Sequence, residues 1–518
     1  MSGEVDALLM NPATYGLTAG AKVERIETHA SFVYLARDRA YKLKKPVDFG
    51  FLDFTTLEKR RTACESELAL NRRTAPDIYL GVTPVRRTAR GLALGGDEGE
   101  IVEWLVEMRR FPADGLFSRM ADEGRLTLRQ IEMLAADIER FHRKAEIHRD
   151  RGGAATFARI VAVSDDNLRD YAGLVFNADD IRHLREESDA AISRLAPLFD
   201  RRRDEGYVRR CHGDLHLGNV TLIDARPVIF DCIEFSEDIG CIDILYDLAF
   251  LLMDLGFREP ADPRLHGFAN RALNVYFDHV GRDDIAPTVE GLALLPLFIA
   301  TRAAIRAKVT AVVADTPEKR EHSASYLRFA LKALAPARPR LFAVGGLSGT
   351  GKSTLARALA PRSGLAGALH LRSDIIRKRL FGVAPLDRLP PDAYAPDVGA
   401  RVYDEMMKLG ARALAAGISV VFDAVFARED ERKEAEMVAA RAGADFEGIW
   451  LEASAPVLEA RVAARTAAAL DPSDADVAVL RQQLGYETGP IRWRRVDASG
   501  SEAETLARAL QGMALPRN

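Results

Sequence analysis

The chain has 518 residues, 48% of them apolar and 29% charged, with a formal net charge of −4. That length exceeds one ordinary core and predicts two to four domains, while the near-neutral charge gives no electrostatic drive toward nucleic acid or a membrane surface. Four cysteines, Cys64, Cys211, Cys232 and Cys241, show no C-x-x-C or zinc-finger spacing, which excludes a disulfide scaffold and points to reduced thiols in a cytoplasmic protein. The N-terminus carries acids early and no basic region ahead of an apolar run, so no signal peptide is expected. The best apolar run, GLALLPLFIA at 291–300, is about half of what a membrane helix needs.

Taken in chain order, SFVYLARDRAYKLKKPV (31–47) predicts two strands joined at Arg37–Arg39. Thr55 and Glu58 stand at capping-box spacing, so a helix is expected to begin there. IVEWLVEMRRF (101–111) reads as a strand running into a connector. Beyond it the pattern turns helical, with Ile131, Leu134, Ile138 and Phe141 on one helical face. A small β-rich lobe, about 20–107, is thus followed by a helix-rich lobe, about 108–333. LAPARPR (334–340) reads as a linker. After it, from 341 to 518, short β-like runs alternate with helical patterns and predict a parallel sheet wrapped by helices.

Within the first 333 residues, CHGDLHLGNV (211–220) places Asp214 five positions before Asn219, and Asp231 follows after a hairpin-like TLIDARPVIF. One carboxylate aimed at an acceptor hydroxyl, followed by an amide and a carboxylate for Mg²⁺, is what phosphoryl transfer requires. Upstream, AYKLKKP offers Lys42 and Lys44 on one face of a strand, and CESELALNRR offers Glu67, with Glu65 as its rival.

The second device is GLSGTGKS, a full match to G-x-x-x-x-G-K-[ST] between a strand (LFAV) and a helix (TLARALA). Gly346, Leu347, Ser348, Gly349, Thr350 and Gly351 would present backbone N–H groups to phosphates at a helix N-terminus. Lys352 would reach the β- and γ-phosphates, Ser353 would bind Mg²⁺, and Thr354 completes the loop. Asp374 and Arg377 follow the next strand, at the edge where a doubly wound sheet takes its ligands; they suit a general base and an acceptor-binding cation. Asp423 ends the strand-like SVVFDA, where a second magnesium ligand would sit. Arg461 and Arg465, four apart, could neutralise transferred phosphate from a lid.

From about 340 to 515 the chain resembles small P-loop kinases of metabolite or polynucleotide-kinase type, which implies base and acceptor-binding roles for Asp374 and Arg377. From about 25 to 330 it resembles the aminoglycoside phosphotransferase and choline-kinase-like branch. That resemblance implies Asp214 as catalytic base, Asn219 and Asp231 as magnesium ligands, and Asp247 as an anchor of the catalytic loop. It also implies an ATP-binding strand lysine, with Lys44 favoured over its rival Lys42, paired to Glu67. No G-x-G-x-x-G precedes that lysine, and no D-F-G…A-P-E pattern marks a protein kinase. The two-part order resembles the bacterial bifunctional aminoglycoside phosphotransferase/ATP-binding proteins.

The expectation is therefore a two-domain protein: an α+β, bilobal, protein-kinase-like domain followed by an α/β P-loop domain. It would transfer phosphate from ATP, with Mg²⁺, to hydroxyl groups of small molecules, without membrane or nucleic-acid partners. Three alternatives stay open. The first half could be a ligand-binding or regulatory module beside one active kinase, the P-loop half could be a polynucleotide 5′-end kinase, or the chain could be a non-catalytic ATP-dependent sensor.

Overall fold

The computed structural model describes residues 3–18, 20–50, 52–335, 338–468 and 471–513. Its contacts separate into two compact units. The first comprises Met1–Leu134, Phe141–Gly152 and Arg203–Leu248; the second comprises Ala135–Arg140, Gly153–Arg202 and Ala249–Asn518. Packing therefore does not divide at the expected linker, because the helices between Ala249 and Leu334 share a unit with everything after them. Residues 336 and 337 of that linker lie outside the described residues.

In the first unit, strands β1 (Glu24–Glu27), β2 (Ser31–Ala36), β3 (Arg39–Lys44), β4 (Tyr79–Thr88), β5 (Gly91–Leu94) and β6 (Glu100–Arg109) form an antiparallel sheet of order β1-β2-β3-β6-β4-β5. The β2–β3 turn falls where the sequence places it, with Arg37 at φ 55°. Tyr34, Leu43, Val85 and Leu105 build the core on one face of this sheet. The helix Leu57–Asn71 begins one residue later than expected: Thr56, not Thr55, caps it by accepting from the Lys59 amide. The Thr55 hydroxyl is turned instead to Asp53, at 2.6 Å. Strands β7 (Val208–Arg210) and β10 (Cys241–Asp243) pair with each other, and β8 (Val220–Ile223) forms a hairpin with β9 (Arg226–Ile229). The hairpin turns through Asp224 and Ala225, both at positive φ, as a tight two-residue reversal requires.

The second unit is helical up to Leu334 and then forms a parallel sheet. Its strands are β11 (Arg340–Gly345), β12 (Leu369–Arg372), β13 (Val420–Asp423), β14 (Asp445–Glu452) and β15 (Arg494–Asp497), in the order β12-β13-β11-β14-β15. The central β11 is buried on both faces, which is why LFAV reads as a continuous apolar run. Phe342, Val344, Leu355, Val421, Ile449 and Leu451 form the core around it. The stretch Ile285–Ala311 is long and apolar enough to cross a membrane by composition, but its most apolar window is 78% buried inside the fold, as in a core helix.

Candidate active sites

Strand alternation brings Lys42 and Lys44 to one face of β3, and both reach Glu67 on the helix Leu57–Asn71. Lys42 Nζ donates to Glu67 Oε1 at 2.8 Å and to Asp231 Oδ1 at 2.7 Å. Lys44 Nζ donates to Glu67 Oε2 at 2.7 Å and to Glu234, with its ammonium 4.7 Å from the centre of the Phe54 ring. The two lysines thus differ in surroundings: Lys44 is enclosed, its side chain 1% exposed, whereas Lys42 meets the expected metal ligand. Burial alone would depress the Lys42 ammonium, but Asp231 and Glu67 outweigh it and hold its pKa well above the usual lysine value. Burial likewise pushes Glu67 up, and the two ammonium groups reverse this to leave it below an ordinary glutamate. Glu234 stays raised, burial prevailing over Lys44. Glu65, the rival of Glu67, pairs on the surface with Arg61.

The loop after β7 brings Asp214 and Asn219 together. Asn219 Nδ2 donates to the Asp214 backbone oxygen and to its Oδ2, both at 2.9 Å. Asp214 keeps 38% of its side chain exposed, with His216 Nε2 3.4 Å from its Oδ2. Beneath the loop, the fully buried Asp247 accepts from the amides of His212 (3.0 Å) and Gly213 (2.8 Å), and His142 Nε2 lies 3.1 Å from it. Asp231 holds φ 62°, an uncommon conformation for a non-glycine residue, and its amide donates to Tyr79 Oη at 3.1 Å. The Cys232 amide is bound by Asn71 Oδ1 at 2.8 Å, so the segment carrying Asp231 is fixed on both sides. Tyr79, Asn71, His142 and Glu234 were not singled out in the sequence. Only Glu234, an acid three residues after Asp231, left a readable trace.

In the second unit, Gly346–Gly351 forms the turn between β11 and the helix Lys352–Leu359. A Cβ on Gly346 would lie 2.7 Å from Leu451 O, and one on Gly349 2.8 Å from Leu458 O, so both glycines are sterically required. Gly351, at φ 88°, precedes the helix. Leu347 packs against Leu458, Val462 and Leu480; its carbonyl accepts from Lys352 Nζ at 3.0 Å and from the Thr350 hydroxyl at 2.8 Å. Burial depresses the Lys352 ammonium, with Asp423 and Asp374 opposing it. The Ser348 amide is held by Gln483 Oε1 at 2.8 Å, and Ser353 and Thr354 sit half-buried in the first helical turn.

Asp423 ends β13 directly across from Arg372 of β12, whose Nε is 3.4 Å from Asp423 Oδ2. His370 Nε2, two residues earlier on the same face, lies 3.2 Å from the same oxygen. Burial would raise the Asp423 carboxyl, yet His370, Arg372 and Lys352 together hold it well below the carboxylate range. Asp374 is raised, first by burial and then by Asp423 and Asp471, against Arg372. Arg377 donates to Ala393 O at 2.7 Å and stacks on the Tyr394 ring, whose hydroxyl donates to Asp474 at 2.6 Å. The two expected lid arginines separate. Arg461 is bound to the carbonyls of Ala498 and Gly500, whereas Arg465 donates to Ala475 O at 2.6 Å and lies near enough to Lys352 to disfavour its charge. The Arg465 Nε is buried without a hydrogen-bond partner. His370, Arg372, Asp471, Asp474 and Gln483 escaped sequence reasoning, although LHLR, two polar residues alternating in a buried strand, was a visible signal.

A lysine-bearing antiparallel sheet over an Asp/Asn/Asp loop, and separately a P-loop at the carboxyl edge of a parallel sheet, define a phosphotransferase assembled from two kinase-type domains. Comparison with known proteins agrees. Residues 145–283 match the "Phosphotransferase enzyme family" and residues 341–490 match an "AAA domain". An uncharacterized protein of Mycobacterium tuberculosis and one of Mycobacterium bovis are each 31% identical over 496 residues, spanning 93% of this chain and 94% of theirs. Among solved structures, a gluconokinase from Sinorhizobium meliloti is 24% identical, covering 34% of this chain and 92% of its own (TM-score 0.24). A choline/ethanolamine kinase family protein from Mesorhizobium loti is 14% identical, covering 62% and 95% (TM-score 0.38). The chain belongs to the family of these mycobacterial relatives, and in this chain a phosphotransferase-family domain precedes a P-loop kinase-like domain.

Proposed function

We propose that the chain is a magnesium-dependent ATP phosphotransferase with two sites, each passing a γ-phosphoryl group to a hydroxyl of a small molecule. In each reaction the acceptor oxygen bonds to the γ-phosphorus as the bond to the β,γ-bridging oxygen breaks. ADP leaves, and the hydroxyl proton passes to a carboxylate.

The P-loop half carries the reading most directly. Gly346 and Gly349, pressed against Leu451 O and Leu458 O, hold a turn that opens directly into a helix N-terminus, the arrangement in which backbone amides bind phosphate. The unpartnered N–H of Arg465 and the Lys352 ammonium supply positive charge beside that loop. Asp374, raised toward neutrality, suits the proton acceptor, and Arg377 suits an anionic or hydroxylated part of the acceptor. In the first half, Asp214 is the proton acceptor. Lys42, through its contact with Asp231, takes the nucleotide-binding role, and Lys44 holds Glu67 and Glu234 in place.

Asn219 with Asp231, and Ser353 with Asp423, are hard oxygen donors of the kind Mg²⁺ prefers and would hold it in each half. When bound, the ion neutralises charge on the phosphate oxygens.

The deciding experiment follows transfer from γ-labelled ATP into a cell-metabolite extract, comparing the wild-type chain with folded Asp214→Ala and Lys352→Ala. Each substitution should remove a different labelled product. Loss of every product in Lys352→Ala, with none lost in Asp214→Ala, would show that the first half does not transfer phosphate.

A further inference from the structure

Strand β12 is an edge of the parallel sheet, yet its outer backbone is not left bare. The helix Phe268–His279, which belongs to the region matching the phosphotransferase family, turns two buried asparagines onto it. Asn270 Nδ2 donates to Ala366 O at 2.8 Å and to Ala368 O at 2.9 Å. Asn274 Nδ2 donates to Ala368 O at 3.1 Å, and Asn274 Oδ1 accepts from the His370 amide at 2.7 Å. The approach is close enough that a Cβ on Gly367 would lie 2.3 Å from Asn270 Nδ2. The same helix is gripped at its other end. Arg379, on the helix Ser373–Leu380 that carries Asp374 and Arg377, donates to Phe277 O at 2.7 Å and to Val280 O at 3.0 Å.

We infer that the helix Phe268–His279 positions the P-loop site, with Asn274 and Arg379 as its positioning residues. Asn274 fixes the His370 backbone, the His370 ring meets Asp423, and Arg379 fixes the helix bearing the proton acceptor and the acceptor-binding arginine. Neither residue touches substrate. The site is thereby completed by a helix that precedes the P-loop by about seventy residues and lies in the half matched to the other kinase family. The inference rests on the phosphotransferase reading of the P-loop half only for its kinetic consequence.

The test uses the full-length chain. Asn274→Ala is compared with wild type by peptide-resolved amide exchange, and by the Mg²⁺ concentration giving half-maximal Lys352-dependent transfer. Losing the two buried hydrogen bonds that Asn274 makes with Ala368 and His370 should speed exchange across residues 369–380 about tenfold or more. The same displacement at Asp423 should raise the Mg²⁺ requirement about threefold or more, a change that general loosening would not produce selectively. Asn167→Ala, which removes an exposed amide-to-carbonyl bond within the helix Gly153–Arg169, should alter neither. Unchanged exchange over 369–380, or exchange rising equally in β14, overturns the inference. Should Asn274→Ala fail to fold, Arg379→Met replaces it, with faster exchange expected over 373–380 and a lowered Lys352-dependent kcat, since that helix carries the proton acceptor; wild-type values there overturn the inference equally. If the wild-type chain shows no Lys352-dependent transfer, the functional reading falls, and the exchange result alone upholds or overturns the positioning role.

Discussion

Exchanging Lys42 and Lys44 for methionine, one at a time, separates a nucleotide-binding lysine from a structural one. Lys44→Met removes an ammonium whose side chain is 1% exposed. Glu67 keeps Lys42 at 2.8 Å, so Glu234 is the carboxylate stranded without a counter-charge. Breaking a buried pair from one side costs about 3–5 kcal/mol. Loss of the cation over the Phe54 ring adds about 1 kcal/mol. Protonation of Glu234, already favoured by burial, returns part of this. Lys42→Met is milder: Glu67 keeps Lys44, and the Asp231 side chain, 43% exposed, turns to water. The loss there is about 1.5–3 kcal/mol, the worth of a charged hydrogen bond. For phosphate transfer the order reverses, with Lys42→Met lowering the Asp214-dependent rate by about 10²–10³-fold, the usual cost of losing one preorganised donor. Urea unfolding, read through amide exchange in Arg39–Lys44 and Glu100–Arg109, gives the first ranking, and single-turnover transfer from γ-labelled ATP gives the second. If Lys44→Met loses transfer with its stability intact while Lys42→Met stays active, the assignment of the two lysines is wrong.

Asp247→Asn, which weakens the grip on the His212 and Gly213 amides, should cost about 1–3 kcal/mol in the first unit and abolish Asp214-dependent transfer while sparing the Lys352-dependent product; labelled-product analysis checks this. Gly349→Ala, forced to hold φ 83° with its Cβ against Leu458 O, should weaken nucleotide binding to the P-loop about tenfold or more by titration calorimetry. The Lys352-dependent rate should fall on acidification at a pH above the ordinary aspartate value of about 3.9, since a base works deprotonated and burial raises Asp374; a pH–rate profile with its acid limb at or below that value would contradict the role. Arg465→Ala should slow the same transfer, whereas Arg461→Ala, which only frees the Ala498 and Gly500 carbonyls, should act on stability alone; kcat and melting temperature distinguish the two.

The geometry of both loops was legible in the sequence because it depends on fixed spacing. Gly346, Gly349 and Lys352 must follow one strand and open one helix, and Asn219 must stand five residues after Asp214 to return its amide to that carboxylate. Lys42 and Lys44 could not be ranked, since alternation puts both on one face and only the distant Asp231 and Glu234 tell them apart. Arg461 and Arg465 share a helix face by spacing, yet different carbonyls hold them, Ala498 and Gly500 for the first and Ala475 for the second, and only Arg465 is set beside Lys352. The packing boundary was hidden for a similar reason. LAPARPR looks like a linker locally, but the asparagines that tie the preceding helices to β12 stand within an ordinary-looking helix, FANRALNVYFDH. Local pattern reports local structure; partners a hundred residues away leave no periodicity.

The cover on β12 also bears on how such a chain can be cut or recombined. A fragment beginning at residue 340 would keep all five strands and the whole P-loop, but would expose the Ala366 and Ala368 carbonyls and the His370 amide as a ready template for a foreign strand. Such a fragment invites self-association, and a genetic exchange joined at that linker would inherit the same sticky seam. The two halves are consecutive in sequence but not interchangeable as modules. Nor does a cut upstream of Phe268, inside the region matching the phosphotransferase family, free the second unit, because residues 153–202 belong to it as well.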